Sequence, residues 1–357
     1  MRMSLSALHI YAGPKALQHV RKHGLQPQDV HTLAGAAGGP KGLMLNHLDQ
    51  FIFGDWLTRQ AHQVDLVGAS VGAWRMAAAC MPNPVAALQQ LADDYVHQRW
   101  AEDKSNPKPE AVSAVYAEQL HRMFDGHVQE VLNHPYWRLH LVVSQGRGIL
   151  RRATPLRTTL GYGGAYIANA MRRQAMGRCL QRLVFSSQEV PPPFAMHDYR
   201  SLQVPLRENN FFDALQASGS IPFVLAAVHN IAGAPAGACW DGGITDYHLH
   251  LAYQGEGIVL YPHFQKEVIP GWLDKAWKRR HRSTPFLDNV LLLAPNPAWV
   301  ATLPNGKLPD RNDFQRYRYD NAGRIAAWKT AISASQQMVE EFAQWLSQPD
   351  ASRVQPL

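Results

Sequence analysis

The sequence predicts an α/β fold: a mostly parallel central sheet with helices on both faces. Two observations predict it. Strand-like apolar runs alternate with helix-like runs, the order expected of parallel strands joined by crossover helices. Two of the strand-like runs also end in glycine-rich turns that open into helical sequence, around residues 35–42 and 68–72.

In chain order, strands are expected at residues 31–35, 64–69, 138–144, 182–186, 257–261 and 290–294. Each is a short apolar run. Helices are expected at 42–58, 73–80, 84–99, 111–124, 165–178, 210–217 and 322–345, in longer runs with helical periodicity. Residues 103–110, with two prolines and several charges, read as a loop. Residues 147–165, rich in Arg, Thr and Gly, read as a second irregular region. The segments 100–125 and 147–178 each read equally well as a lid or as surface loops. There is no internal repeat and no low-complexity tract.

The chain has 357 residues, enough for a large core, and is expected to form one domain over 1–357. A hydrophobic content of 46% excludes general disorder. Cys80, Cys179 and Cys239 are odd in number and widely spaced, which argues for reduced thiols and against a disulfide framework or a zinc site. Residues 1–11 lack the apolar core of a signal peptide. No stretch approaches the ~20 apolar residues of a membrane span. A cytoplasmic location is expected, with peripheral membrane contact left open.

The run from Val64 to Trp74 is the most informative. An apolar strand leads into Gly68-Ala69-Ser70-Val71-Gly72 and then an Ala-rich helix. That is the context of a nucleophile elbow, a serine on a tight strand-to-helix turn. Gly68 and Gly72 let strand and helix approach closely. The N–H of Val71, at the helix start, can face an anion. The bland alternative is a glycine-rich turn with an idle serine. Upstream, Gly38-Gly39-Pro40-Lys41-Gly42 forms a glycine loop between a strand and a helix. Its N–H groups can converge on an anion, as an oxyanion hole requires. A tight turn or a phosphate loop are the alternatives, but the Walker spacing is not met. Downstream, Asp241-Gly242-Gly243 puts a carboxylate at the end of a short apolar stretch, shortly after Ala217-Ser218-Gly219-Ser220-Ile221-Pro222. Alone, Asp-Gly would read as a turn.

These four blocks, in this order over residues 30–245, resemble the patatin-like phospholipase family. The resemblance implies a patatin-like three-layer α/β architecture and a Ser-Asp dyad without histidine. By position it implies Ser70 as nucleophile and Asp241 as base. The oxyanion hole would come from Gly38, Gly39, Lys41, Gly42 and Val71, with Gly68, Gly72, Gly242 and Gly243 shaping the turns. The sequence departs from the family at Ala37, at Lys41 and after Gly243, where Ile244-Thr245-Asp246-Tyr247-His248 lacks the usual Asn and Pro.

The formal charge is +7, and basic residues are densest at 272–282. There Trp272, Leu273, Ala276 and Trp277 would share one helical face beside Lys278, Arg279, Arg280 and Arg282. Two readings stand: an amphipathic helix facing anionic membrane, and a core-packed helix with a solvated basic tail. No nucleic-acid reading motif accompanies the charge, so no nucleic-acid partner is expected. His248, His250 and His263 lack the spacing of a metal site, and neither metal nor cofactor is expected.

The function expected is a serine acyl-ester hydrolase acting on lipid-like esters, of phospholipase A or lysophospholipase type. An α/β-hydrolase with a Ser-Asp-His triad completed by His263 or another late histidine is one alternative. A non-catalytic lipid-binding module is the other. The particular ester and the oligomeric state are not encoded legibly.

Overall fold

The computed structural model describes residues 5–60, 62–98 and 108–357. The strands are β1 (Leu8–Ala12), β2 (Val30–Gly35), β3 (Val64–Ala69), β4 (Trp137–Gly146), β5 (Leu180–Ser186), β6 (Phe194–Ala195), β7 (Ser201–Pro205), β8 (Val228–His229), β9 (Ala238–Asp241), β10 (Ala252–Tyr253), β11 (Ile258–Pro262), β12 (Val290–Pro295) and β13 (Val354–Pro356). Eleven of them form one sheet, ordered β13-β1-β12-β11-β2-β3-β4-β5-β7, with β9 also on β4 and β8 on β9. Strands β12, β11, β2, β3 and β4 pair in parallel throughout. The sheet is thus mostly parallel and flanked by helices, as the alternating sequence predicts. The chain runs outward in both directions from the β11–β2 neighbours, and crevices at such switch points favour ligands.

Successive residues of a strand face opposite sides, and the core divides accordingly. Leu66, Leu141, Leu260 and Leu291 belong to one hydrophobic cluster with the helices Pro14–His23, Val71–Ala79 and Gln336–Ser347. Val67, Val142, Val259 and Leu292 belong to a second, closed by Leu249, Phe264 and Val268 from the turn-rich chain around β11. Burial on both faces explains why β11 and β12 read as unbroken apolar runs.

Several expected elements change shape. The helix expected over 42–58 is a chain of short turns: a 3-10 stretch Gly39–Leu45, an α-helix Asn46–Phe51 and a π-type turn Ile52–Trp56. The helix expected over 322–345 is two, Asn321–Ala334 and Gln336–Ser347, broken at Ser335. Residues 147–165 are not irregular. A helix, Pro155–Met171, covers most of them, with Pro155 at its first position and Thr158, Gly161, Tyr162, Ala165 and Asn169 buried. Of the segment 100–125, residues 99–107 lie outside the described ones, and Pro109–Phe124 is a helix.

The two helical runs that follow the glycine loop and the Ser70 turn are tied by a buried ion pair. The Arg75 guanidinium donates to both Asp49 carboxylate oxygens, at 2.6 and 2.7 Å. Asp49 is wholly buried and Arg75 is 3% exposed. Asp49→Ala would leave a buried guanidinium unpaired, so it should destabilise the fold by about 3–5 kcal/mol, read as a lowered urea midpoint.

Candidate active site

The turn after β3 is built as a nucleophile elbow requires. Ser70 adopts φ 55° and ψ −130°, a strained conformation for a residue with a Cβ. The chain then enters the helix Val71–Ala79 at once. Crowding explains the glycines. A Cβ on Gly72 would lie 1.8 Å from the Gly35 carbonyl oxygen, and one on Gly68 would lie 2.5 Å from Ala73 Cα. The glycine loop and the elbow therefore touch backbone to backbone.

Strand register brings the carboxylate to the serine. β3 occupies one edge of β4 up to the pair Ala69–Val142. β9 takes up β4 from the pair Val143–Asp241 onward, running the opposite way. β5 pairs the same stretch of β4 from its other side. β3 and β9 thus meet end to end, with Ser70 and Asp241 at the junction. Ser70 Oγ donates to Asp241 Oδ2 at 2.6 Å. The other oxygen, Oδ1, accepts the Gly243 N–H at 2.7 Å. A Cβ on Gly243 would fall 2.5 Å from Ala37 Cβ, and one on Gly242 would fall 2.1 Å from the Val142 oxygen, so both glycines are required by space.

The block 217–222 is the strut between the two strands. Ser218 Oγ donates to the Val142 carbonyl at 2.8 Å and accepts the Ser70 N–H at 3.0 Å. The Ser220 carbonyl accepts the Asp241 N–H, and the Ser218 carbonyl accepts that of Gly242. Because its N–H is used here, Ser70 supplies a hydroxyl but no amide to the cleft.

A cleft of about 300 Å³ opens over the pair. Ala37, Gly38 and Lys41 line it from the glycine loop, Tyr162, Phe223, Tyr247 and Trp272 add aromatic surface, and Lys275 and Arg311 add charge. Gly39 and Val71 line a smaller recess on the other side of Ser70, walled by Trp74, Tyr95 and Tyr116. Gly39 holds φ +57°, a conformation that favours glycine, at the start of the 3-10 turn. Gly42 lines neither space. It sits under Val71, where a Cβ would be 3.2 Å from Val71 Cγ1, so its part is packing.

Burial raises the Asp241 carboxyl above the usual aspartate range, against the opposing hydrogen bond from Ser70 and the positive charge of Arg311. A raised carboxyl is a better proton acceptor once ionised. Lys275 is held down at about 8 by burial and by the neighbouring cations Lys41 and Arg311. Burial also lowers Lys41, whose Nζ lies 5.1 Å from the centre of the Phe264 ring. Among the described residues, none of these three cations forms an ion pair. Arg311 and Tyr162 had no signal in local sequence, Tyr247 follows the Asp241-Gly242-Gly243 turn and Lys275 lies in the basic segment 272–282; the fold gathers all four at the cleft.

The histidines lie elsewhere. His263 Nδ1 bonds the Gln265 carbonyl, His250 Nε2 bonds Thr284 and His248 Nδ1 bonds the Glu267 carbonyl. No histidine lines the cleft among the described residues. Nor do three or more His, Cys, Asp or Glu side chains gather there as a metal-binding group.

The basic segment is not an amphipathic helix. It folds as two 3-10 turns, Trp272–Asp274 and Lys278–Arg280. The cause is Asp274, which is 1% exposed and accepts from Asn169 at 2.8 Å and Arg280 at 2.7 Å. Wrapping that carboxylate bends the chain, so Leu273 is buried while Trp272 is exposed on the cleft rim. Trp277 stacks on Tyr166, with ring centroids 6.1 Å apart. Lys278, Arg279 and Arg282 remain exposed, whereas Arg280 is committed to Asp274.

Comparison with family models, with curated proteins and with solved structures gives no match. The site therefore stands on its geometry. Ser218→Ala should cost about 1–3 kcal/mol, because it strips a buried N–H and a buried carbonyl of their partner. A denaturant titration measures the loss.

Proposed function

We propose that this chain is a serine acyl-ester hydrolase of phospholipase A or lysophospholipase type, working through a Ser70–Asp241 dyad. The observation that carries the reading is the 2.6 Å hydrogen bond from a strained elbow serine to a buried carboxylate. An aliphatic hydroxyl becomes a competent nucleophile when a base takes its proton. Asp241 Oδ2 is in reach to do so, while Oδ1 stays fixed by Gly243.

Ser70 Oγ attacks the acyl carbon as its proton passes to Asp241. The tetrahedral oxyanion is met by amides of the 38–39 loop and Val71, with Lys41 adding positive charge. The alcohol leaves with the proton held by Asp241. Water then attacks the acyl-enzyme and gives its proton to Asp241, which returns it to Ser70 Oγ as the acyl–Oγ bond breaks and the acid leaves. Three cations without ion-pair partners around an aromatic-lined cleft favour an ester that carries a negative group beside its acyl chain, as phospholipids do. Among the described residues no helix is long and apolar enough to cross a membrane.

Labelling with a fluorophosphonate, read by intact mass, is the direct test. The parent should gain one adduct, and Ser70→Ala should gain none while keeping its fold. A labelled Ser70→Ala variant would overturn the assignment. Asp241→Asn should lose most turnover, since an amide cannot take the proton. Single replacements of His229, His248, His250 and His263 should stay within roughly tenfold of the parent.

The pH profile follows from the carboxyl. Turnover needs ionised Asp241, so kcat/KM should fall as pH drops through a value above the ordinary ~3.9 of aspartate. Arg311 lowers that value, so Arg311→Met should move the acidic limb to higher pH. A limb that stays put would remove Arg311 from the electrostatics of the base.

A further inference from the structure

The helix Pro155–Met171 carries its apolar residues on both sides. Its inner face is Thr158, Gly161, Tyr162, Ala165 and Asn169, all buried. The solvent side of such a helix is ordinarily polar. Here it presents Leu156, Leu160, Ile167 and Met171, which are 70%, 57%, 62% and 68% exposed. At helical spacing these four fall in one stripe. Gly163 and Gly164 fill the gap between them, and a Cβ at either would meet open space.

The surrounding charge is one-sided. Residues 147–178 contain seven arginines and no Asp or Glu. Arg151, Arg152 and Arg157 are exposed at one end of the stripe and Arg172 at the other. None of these four forms an ion pair among the described residues. The inner face of the helix borders the cleft. Tyr162 reaches into it from the helix, and its rim holds Phe223 and Trp272, which are 60% and 54% exposed.

An apolar stripe edged by cations that form no ion pair among the described residues fits few occupants. A second copy of the chain would set arginines against arginines. An anionic lipid surface satisfies both parts, since acyl chains accept the leucines and head groups accept the guanidiniums. We propose that the outer face of the helix Pro155–Met171 docks the protein on an anionic lipid bilayer. The docking element is this helix, and the basic turns at 272–282 are secondary to it. The inference does not depend on the chemistry at Ser70.

Co-sedimentation of the full chain with vesicles tests it. Vesicles of phosphatidylcholine alone are compared with vesicles containing phosphatidylglycerol, at low and high salt. The parent should bind the anionic vesicles, more weakly as salt rises. The variant Leu156→Gln/Leu160→Gln/Ile167→Gln/Met171→Gln should bind about tenfold or more weakly. Its circular dichroism and its hydrolysis of a short soluble ester should match the parent's. Ser70→Ala should bind as the parent does, which separates failure of docking from failure of the chemistry. Replacing Lys278, Arg279 and Arg282 with Gln should weaken binding less than the helix variant. Three outcomes would overturn the proposal: no vesicle binding by the parent, undiminished binding by the helix variant, or a parent dimer in sedimentation velocity that the helix variant dissolves.

Discussion

One edge of β4 is shared by two strands that approach from opposite directions, and the rest of the site depends on that sharing. β3 stops at Val142 and β9 begins at Val143, so the residue that ends each strand faces the other. Neither strand pairs with its counterpart; both take their position from β4. Ser218 reinforces the junction by spanning the Val142 carbonyl and the Ser70 amide. A shift of β9 by one residue would turn Asp241 to the other face of the sheet. The backbone ladder, reinforced by the Ser218 side chain, is what fixes the distance between hydroxyl and carboxylate.

Behind the cleft, a buried charge network fixes the walls. Asp246, five residues after Asp241, is fully buried and accepts from Arg182, Arg173 and Tyr199. Arg173 also reaches Asp198 and Asp274, so the network joins the turn after β9 to the chain that carries Trp272 and Lys275. A buried ionic group left without partners is costly, so each member constrains the next. Among the described residues the cations on the cleft itself lack such partners, and their charge is left to act on what enters the cleft.

What was legible in the sequence was what short segments encode. The elbow at Ser70, the glycine loop at 38–42 and the Asp241-Gly242-Gly243 turn each announce themselves through glycines at places where a Cβ would collide. The buried parallel strands are legible as apolar runs. Arg311 was not, because nothing near it in sequence marks it, and Lys275 reads only as one of the basic residues of 272–282; both meet Ser70 and Asp241 only through folding. The edge strand β13, only three residues long, is too short to stand out. The helix Pro155–Met171 was hidden because its outward leucines blur the amphipathic pattern that identifies a surface helix. The opposite error arose at 272–282, where a helical pattern is present but Asp274, bonded to Asn169 and Arg280, bends the chain into turns.

The hydrogen bond between Ser70 and Asp241 spans 171 residues of chain. A ribosome adding about 5–20 residues per second needs roughly ten to thirty seconds to cover that interval. During it the elbow, the glycine loop and β3 already exist as sequence, but the serine has no base, and β4 has no β9 on its edge. The pairing of hydroxyl and carboxylate is therefore a property of the finished sheet and of no earlier stage of biosynthesis. Until the sheet is complete, the nascent chain holds the Ser70 hydroxyl with no carboxylate opposite it.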